Sequence, residues 1–397
     1  MAESRTILVA GGGIAGLTTA LALARKDFRA VVLEQSEGLE EAGAGIQLPP
    51  NATRVLLALG LGEALKSKVV APEAIAIRSA WSGRQIVRIP LGQEMVTQYG
   101  SPYWVIHRGD LQAVLLDAVE NNPDTAIKLA ARVEDFEPHG HGLTVHVRSG
   151  SQHSHERGIA LVGADGLWSV LGTQIDRKGK PRFAQRSAWR ATLPASEVGE
   201  EFRAPVVQLW LGRNAHLVHY PVRGGSLINI VAIVEDLWQG EGWSAAGARD
   251  EILSRFPKRR WAASARALLS TPPIWAKWAL YDRPVRRRWG NGLMTLVGDA
   301  AHPMLPFLAQ GAAMAMEDAV TLADCLAAQR DDLAAGMRRY EEMRRHRTAK
   351  VQQATRTNGK LYHLRWPASF ARNLTLRLMG GKGLRARYDW LYDWRLT

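Results

Sequence analysis

The sequence of 397 residues predicts an α/β protein in which a parallel-sheet domain carries an inserted second sheet and is followed by a helical region. Three observations indicate this arrangement. A strand, a glycine-rich turn, a helix and a second strand follow one another within residues 6–34. The stretch from about Pro181 to Asp282 is rich in strand-like apolar runs. From Gly311 to Asn358 the pattern is mostly helical.

The composition is that of a folded globular protein, with 46% hydrophobic and 22% charged residues. It excludes a disordered chain and a protein with many membrane spans. The single cysteine, Cys325, has no partner in the chain, so disulfides and a cysteine-rich zinc site are excluded and a reducing compartment is favoured. The uncharged run from Ile7 to Ala24 is broken by glycines and lacks a basic flank, which argues against a signal peptide. We expect a cytoplasmic protein.

The net charge of +13 is strongly basic, and from Asp331 onward 15 basic residues stand against 6 acidic ones. Such an excess is compatible with nucleic acid, an anionic membrane surface or small anionic ligands. On composition alone, a solvated basic helix face is the favoured explanation for the tail. We expect the tryptophans of this tail, Trp366, Trp390 and Trp394, to be packing residues.

The N-terminal turn carries the most specific motif. Gly11-Gly-Gly13-Ile-Ala-Gly16 fits G-x-G-x-x-G directly after a strand and at the start of a helix that includes Ala15. Gly11 permits the tight turn, Gly13 lets the backbone approach a pyrophosphate, and Gly16 lets the helix pack on the strand. The helix N-terminus favours the phosphates. The motif predicts a dinucleotide site.

Three carboxylates follow strands of the predicted parallel sheet. Glu34 ends the second strand, where it would accept a hydrogen bond from a ribose 2′-hydroxyl and repel a 2′-phosphate, as suits FAD or NAD. Asp165 follows the strand at Val162, and Asp299 follows the strand at Val297. Both are placed to accept hydrogen bonds from ribose or ribityl hydroxyls, although a local turn is the commoner role of such an aspartate.

Together these motifs resemble the flavoprotein aromatic hydroxylases, the class A flavoprotein monooxygenases. Within that class the chain is most similar to the salicylate hydroxylase and 3-hydroxybenzoate 6-hydroxylase branch, over nearly its whole length. The runs that carry the resemblance are the glycine fingerprint with Glu34, Gly43–Leu48, Ile106–Leu111, Val162–Gly166, and Gly298–Pro306 with Ala309–Ala312.

The resemblance implies a p-hydroxybenzoate hydroxylase-like organisation. A Rossmann-type FAD-binding domain would be assembled from residues 1–72, 100–180 and 285–330. A sheet-containing substrate domain would comprise residues 73–99 and 181–284, and residues 331–397 would form a C-terminal helical region.

The resemblance also assigns roles to single residues around the flavin. Arg108 would contact its ribityl-phosphate region, Val133 its adenine through the backbone, and Asp299 a ribityl hydroxyl. Gly311 and Ala312 would open a helix pointing at the pyrimidine ring, where a helix N-terminus stabilises the negative charge of reduced flavin. Pro306 would lie beside the reacting edge of the flavin, its alternative being an ordinary loop proline.

Two positions depart from the pattern of the class. Gly172 stands where an arginine is usual, and Ile159 stands where an aspartate is common. Both belong to a segment associated with the nicotinamide donor. We therefore expect no second dinucleotide fold, and a donor, NADH or NADPH, that docks transiently in a surface groove.

The candidate base is His216, four residues before Tyr220 on a predicted strand of the second sheet, so that both side chains face the same side. The pair resembles the His-x-x-x-Tyr pair of the 3-hydroxybenzoate and 6-hydroxynicotinate hydroxylases. An imidazole can accept the proton of a phenol near neutral pH, and a tyrosine can orient the ring. A packed, structural histidine is the alternative. By resemblance, Gln47 and Gln310 would line the substrate pocket.

The function implied is an NAD(P)H-dependent flavin monooxygenase of aromatic compound catabolism. It would hydroxylate an anionic hydroxylated aromatic acid of the salicylate or 3-hydroxybenzoate type with O₂, through a flavin C4a-hydroperoxide. We expect no metal, no nucleic acid and no membrane partner, and a monomer or homodimer. Two alternatives remain open: an FAD-dependent reductase or dehydrogenase without oxygen transfer, and a basic nucleic-acid or membrane-surface binding protein.

Overall fold

The computed structural model describes residues 6–39, 44–176, 179–238 and 242–395; Gly43, which begins one of the motif runs, lies outside them. Twenty strands and twelve α-helices are found in these ranges. The strands are β1 Thr6–Ala10, β2 Arg29–Leu33, β3 Gly45–Leu48, β4 Val69–Val70, β5 Ala74–Ser79, β6 Gln85–Pro90, β7 Trp104–His107, β8 Thr125–Lys128, β9 Arg132–His139, β10 Gly142–Ser149, β11 Gln152–Gly158, β12 Ala160–Gly163, β13 Arg182–Pro194, β14 Val206–Gly212, β15 Ala215–Val222, β16 Leu227–Glu235, β17 Ser244–Ala248, β18 Ile274–Asp282, β19 Gly290–Asn291 and β20 Met294–Leu296. The helices are α1 Ile14–Ala24, α2 Pro50–Ala58, α3 Gly62–Lys66, α4 Gln93–Tyr99, α5 Arg108–Glu120, α6 Val170–Ile175, α7 Arg249–Arg255, α8 Ala263–Ser270, α9 Gly311–Ala328, α10 Leu333–Tyr362, α11 Ala368–Ala386 and α12 Asp389–Tyr392.

The first large sheet has the order β19-β20-β12-β1-β2-β8, and all its pairs are parallel except β19 with β20. Strands β12 and β20 are buried along their whole length, as expected for strands covered on both faces. Helix α1 packs on α5 and α9 beside this sheet. The predicted α/β class is confirmed, and the carboxyl ends of β1, β12 and β20 lie side by side.

The second large sheet has eight strands in the order β17-β18-β13-β16-β15-β14-β5-β6, antiparallel except where β14 pairs with β5. Its strands come from residues 74–90 and 182–282, two stretches that are distant in sequence. Buried tryptophans such as Trp189 and Trp275 fill the core on one side of it. The domain limits given above stay a prediction.

The C-terminal region is helical, with the 30-residue helix α10 packed on α9 and α11 packed on β6. A side chain on Gly381 of α11 would collide with the carbonyl of Arg88, so this contact requires a glycine. Trp390 and Trp394 pack against core residues as expected. The expectation for Trp366 was wrong, because its side chain is 81% exposed at the start of α11.

The basic tail is only partly a solvated face. Arg344 and Arg347 both bind the buried Glu317 of α9, and Arg356 binds Asp282. These three arginines therefore join α10 to the rest of the chain. No helix within the described ranges has the length and apolar character needed to cross a membrane.

Candidate active site

A crevice of about 810 Å³ opens beside the carboxyl ends of β1, β2 and β12. Its walls include most of the predicted dinucleotide-binding residues: Gly11, Gly13, Glu34, Arg108, Val133, Asp165 and Asp299. Residues that the sequence separates by almost 290 positions thus meet in one place, at the edge where open α/β sheets bind their ligands.

The three motif glycines differ in what requires them. Gly11 has φ = +110°, and a side chain there would collide with the carbonyl of Ala164. A side chain on Gly16 would overlap the carbonyl of Gly11, so this glycine allows α1 to approach β1. Around Gly13, in contrast, no described atom lies within 4 Å of the place of a side chain. The fold therefore does not require a glycine at position 13. A ligand lying against this backbone would require one, because a side chain would keep it away.

Glu34 is held in place by the backbone. Its Oε2 accepts a hydrogen bond from the N–H of Gly12 at 2.6 Å, and its Oε1 accepts one from Ser36 at 2.9 Å. The carboxylate is almost fully buried at the end of β2 on the crevice wall. The bond to Gly12 couples it to the glycine turn, so the Glu34 carboxylate and the backbone of this turn have a defined relative position.

Asp165 has the local turn role that the sequence left open, and one of its carboxylate oxygens stays available for the predicted ligand role. Its Oδ2 accepts hydrogen bonds from the N–H groups of Val170 at 2.9 Å and Leu171 at 3.3 Å, which caps the short helix α6. Its Oδ1 is buried and has no partner among the described residues. Burial raises the pKa of this carboxyl, and hydrogen bonds to Ser169 and the backbone oppose the shift. An unpaired buried oxygen on the crevice wall fits a ligand hydroxyl.

Asp299 lies in the Gly298–Ala300 turn after β20 and carries an accessible carboxylate. That accessible surface faces the crevice. The surrounding protein removes part of the water around the carboxyl and so raises its pKa, while His302 and Arg108 lower it. A ligand hydroxyl at this position would replace water and take the hydrogen bond.

Gly172, the departure noted in the sequence, makes room for an arginine from another segment. A side chain on Gly172 would lie 2.8 Å from Nη2 of Arg286. The Arg286 guanidinium is buried and donates to the carbonyl of Gly172 at 2.6 Å. A guanidinium is therefore present beside α6 although residue 172 does not supply it, and the sequence pattern could not show this because the two residues are 114 positions apart.

A second chamber of about 330 Å³ continues from the crevice toward the eight-stranded sheet. Of the remaining predicted residues, Gly16 lines neither space, and the chamber contains the others: Ala15, Gln47, His216, Tyr220, Pro306, Gln310, Gly311 and Ala312. Gly13, Arg108 and Asp299 line both spaces. The 18-residue helix α9 begins at this chamber with Gly311, so its N-terminal dipole faces the cavity.

Residues 216 to 220 of β15 show the alternation expected of a strand. His216 and Tyr220 face the chamber, whereas His219 packs edge-on against Phe202 and beside Trp210. Both ring nitrogens of His219 are buried without a partner in the described chain. Burial, and secondarily the charge of Arg78, lowers the pKa of His219 to about 3.

The partner of His216 is a residue that the sequence did not indicate. Nδ1 of His216 lies 2.8 Å from Nε2 of His363, at the end of α10, and both rings are buried. Burial, followed by the charges of His363 and Arg186, lowers the pKa of His216 well below its ordinary value, and burial lowers that of His363 to about 3. Both imidazoles are therefore neutral at pH 7. No short-range pattern connects residues 147 positions apart.

The two predicted pocket amides are oriented by neighbours. Gln47 accepts a hydrogen bond from the Tyr103 hydroxyl at 2.6 Å. The carbonyl oxygen of Gln310 accepts one from Asn51 at 3.0 Å, which leaves its buried Nε2 without a partner among the described residues. That amide nitrogen is a buried hydrogen-bond donor with no partner among the described residues, on a residue that lines the chamber.

A buried ionic network, which the sequence did not predict, contacts the turn that carries Asp299. Arg344 of α10 donates to Glu317 at 2.6 Å and to Asp318 at 2.7 Å, and all three residues are at most 1% exposed. Asp318 also accepts from the N–H of Gly298 at 3.0 Å and contacts His302. The network thereby positions the turn that carries Asp299.

We expect His219 to make the stability of the protein depend on pH. Its pKa is about 3 in the folded chain against 6.5 when exposed, so between these values only the unfolded chain binds the proton. The free energy of unfolding should fall by up to about 1.4 kcal/mol per pH unit as the pH drops below about 6.5, and this contribution should be complete above that pH.

Urea unfolding of the wild type and of His219→Phe at pH 7.5, 6.0 and 5.0 measures this contribution. The variant removes the titrating ring and should have the shallower decline. Equal slopes in the two proteins would show that His219 has the same pKa in the folded and unfolded chains, which contradicts the prediction.

Comparison with known proteins gives concordant matches. Residues 4–355 match the family described as FAD binding domain. The chain is 37% identical over 394 residues to 3-hydroxybenzoate 6-hydroxylase of Polaromonas naphthalenivorans, covering 98% of this chain and 96% of that protein. It is 37% identical over 389 residues to 3-amino-4-hydroxybenzoate 2-monooxygenase PtmB3 of Streptomyces platensis, covering 97% and 95%. A salicylate hydroxylase substrate complex superposes with a TM-score of 0.82 at 26% identity, covering 100% of this chain and 97% of that one.

Proposed function

Because this chain belongs to the FAD-binding-domain family and is a flavin monooxygenase of hydroxylated aromatic acids, we propose that His216 acts on the ring hydroxyl of its substrate. The observation that carries the proposal is the meeting of His216, Tyr220 and Gln310 in one chamber that continues into the dinucleotide crevice. The substrate we propose is an anionic acid of the hydroxybenzoate type.

The residues of the crevice fit FAD. Glu34 would hold the adenosine ribose, the backbone at Gly13 the pyrophosphate, and Asp299 a ribityl hydroxyl. The unpaired oxygen of Asp165 offers one more acceptor. When bound, FAD takes electrons from NAD(P)H and activates O₂, so that one oxygen atom can be transferred to the aromatic ring.

His216 prepares the substrate by accepting a hydrogen bond from its ring hydroxyl. The His216 imidazole is neutral. If its Nδ1–H donates to Nε2 of His363, then the Nε2 atom of His216 itself carries the lone pair, which would face the chamber. A bound aromatic carboxylate would add negative charge to the same cavity and raise the pKa of the imidazole, which favours proton transfer. Removing the phenolic proton makes the ring electron-rich.

Tyr220 and Gln310 would orient the ring, and two arginines attract its charge. Burial raises the pKa of Tyr220, although Arg190 and Gln47 lower it in part, so its hydroxyl stays protonated and can donate. Gln310 adds its unpaired amide nitrogen. Arg108 and Arg190 line the chamber and give it positive potential, which suits an anionic acid. Pro306, at the start of a short 3₁₀ turn, closes the chamber on the opposite side.

The experiment that tests the proposed substrate class is a screen of hydroxylated benzoates and related acids for stimulated NADH or NADPH oxidation. The product is identified by mass spectrometry, and incorporation of oxygen from ¹⁸O₂ is measured. Stimulated oxidation with a hydroxylated, labelled product supports the proposal. Donor oxidation without labelled product from any acid contradicts it and favours a reductase. We propose that the reaction occurs in the cytoplasm and requires only small molecules besides the monomeric or homodimeric enzyme.

Asp299→Ala should weaken FAD binding by about 10-fold to 100-fold, because a hydrogen bond to a charged group contributes about 1.5–3 kcal/mol. The dissociation constant is measured by flavin fluorescence after the purified protein has been stripped and reloaded. Asp331→Ala, which removes an exposed aspartate ahead of α10, is the matched control and should bind FAD as the wild type does. Unchanged affinity in Asp299→Ala would remove this residue from the flavin site.

A further inference from the structure

A cavity of about 590 Å³ lies between the eight-stranded sheet and the C-terminal helices. Its walls are largely apolar, and three arginines of the helical side line it as well. The sheet contributes Ile75, Ile77, Leu209 and Leu211, and α11 contributes Leu376 and Leu384. This space is larger than the 330 Å³ chamber that holds the candidate catalytic residues.

The cavity and the chamber adjoin each other. Gln47, His216, Val218, Pro306 and Ala309 line both of them. A ligand whose ring contacts His216 in the chamber would therefore have the apolar space of the cavity directly beside it.

Four of the polar side chains on the cavity wall have partners within the protein, whereas Nε of Arg385 is buried without a partner among the described residues. The Tyr362 hydroxyl donates to the carbonyl of Phe307 at 3.2 Å, and the Tyr388 hydroxyl bonds to Asn358. Arg385 pairs with Glu94 at 2.5 Å, and Arg372 donates to the carbonyl of Leu361 at 2.8 Å. An occupant would gain little by hydrogen bonding to these paired groups, whereas an apolar one would remove the apolar walls from water.

We propose that this cavity holds an apolar substituent of the substrate, an inference that rests on the proposed function. The preferred substrate is a hydroxylated aromatic acid that bears an alkyl or aryl group, with its ring at His216 and the substituent between β14 and α11. An unsubstituted hydroxybenzoate has about ten non-hydrogen atoms, whereas pockets of ~300–1,000 Å³ take drug-sized ligands. An unsubstituted hydroxybenzoate would therefore leave most of the cavity unfilled.

The proposal predicts a chain-length effect on specificity. Hydroxybenzoates that carry no substituent, a methyl, a propyl or a phenyl group are compared by the kcat/KM for labelled product. Each buried methylene should raise kcat/KM by about fourfold until the cavity is filled. A value that is flat or falls along the series would overturn the proposal.

Two variants of α11 test whether the dependence of kcat/KM on the substituent arises in this cavity. Leu376→Trp fills the cavity and should lower kcat/KM at least tenfold for the propyl and phenyl acids, with little change for the unsubstituted one. Leu374→Trp is the matched control, since Leu374 is 48% exposed and does not line the cavity. Leu209→Trp fills the cavity from the sheet side and repeats the test if the first variant does not fold. Equal losses for all acids in both cavity-filling variants would overturn the proposal.

The occupant is also tested directly. Solvent extraction and mass spectrometry of the purified protein should yield no stoichiometric lipid, and a tightly held long-chain lipid would overturn the proposal by showing a different occupant. If the proposed function itself is wrong, no acid of the series will give labelled product. Labelled product without any preference for a substituent would overturn this inference alone.

Discussion

His216→Ala should lower the rate of formation of hydroxylated product by about 10²–10⁴-fold, the usual contribution of general acid–base catalysis. The variant keeps the crevice residues, so it should still bind FAD and oxidise NAD(P)H. Without the imidazole the ring hydroxyl keeps its proton, and the electrons should appear as hydrogen peroxide. The measured quantity is the ratio of product to NAD(P)H consumed, together with peroxide.

Two further variants show how far the loss of product formation depends on His216 and its partner. His363→Phe removes the partner of Nδ1, a hydrogen bond worth about 1 kcal/mol, and should lower product formation about fivefold. His219→Phe acts on the opposite face of β15 and should leave the ratio of product to donor unchanged. Normal coupling in folded, FAD-loaded His216→Ala would assign His216 a packing role.

Arg344→Met should lower the free energy of unfolding by about 3–5 kcal/mol, because it leaves Asp318 buried without its arginine and Glu317 with Arg347 alone. Burial alone would raise the pKa of Asp318, but the charges and hydrogen bonds of His302 and Arg344 hold it below its ordinary value. Removing Arg344 makes the ionised form costly. Because Asp318 also holds the Gly298 turn, FAD retention should fall as well.

Arg339→Met, on the same helix, is the matched control. Arg339 is exposed, and its contact with Glu342 is 3.9 Å long, so its loss should cost at most about 1 kcal/mol. Urea unfolding of the three proteins with and without added FAD compares them. Equal stability of Arg344→Met and wild type would mean that the two carboxyls become protonated or reach another cation at little cost.

The dinucleotide part of the molecule was largely predictable, because its signals are local. The turn at Gly11, the acceptor Glu34 and the aspartates after β12 and β20 each lie within a few residues of a recognisable strand. The parallel-sheet rule then places strand ends at one edge, and the structure brings these residues to one crevice. The alternation that separates His216 from His219 is equally local, being the period of two in a strand.

The residues that sequence reasoning missed are those whose partners are distant in the chain. The contact of His216 with His363, the placement of Arg286 beside Gly172, and the ionic network of Arg344 all join elements more than 20 residues apart. The exposed Trp366 belongs to the same class of error, because burial depends on which helix face meets another element.

The sequence by itself thus determined the α/β class, the nucleotide turn and the pair of side chains on β15, since helix and strand periods and turn stereochemistry act over a few residues. Only the tertiary structure decided which imidazole supports His216, which cation satisfies Glu317, and that an aliphatic cavity adjoins the chamber. These depend on the docking of α10 and α11 against the two large sheets. That docking follows from long-range packing and charge burial, for which no short segment carries the information.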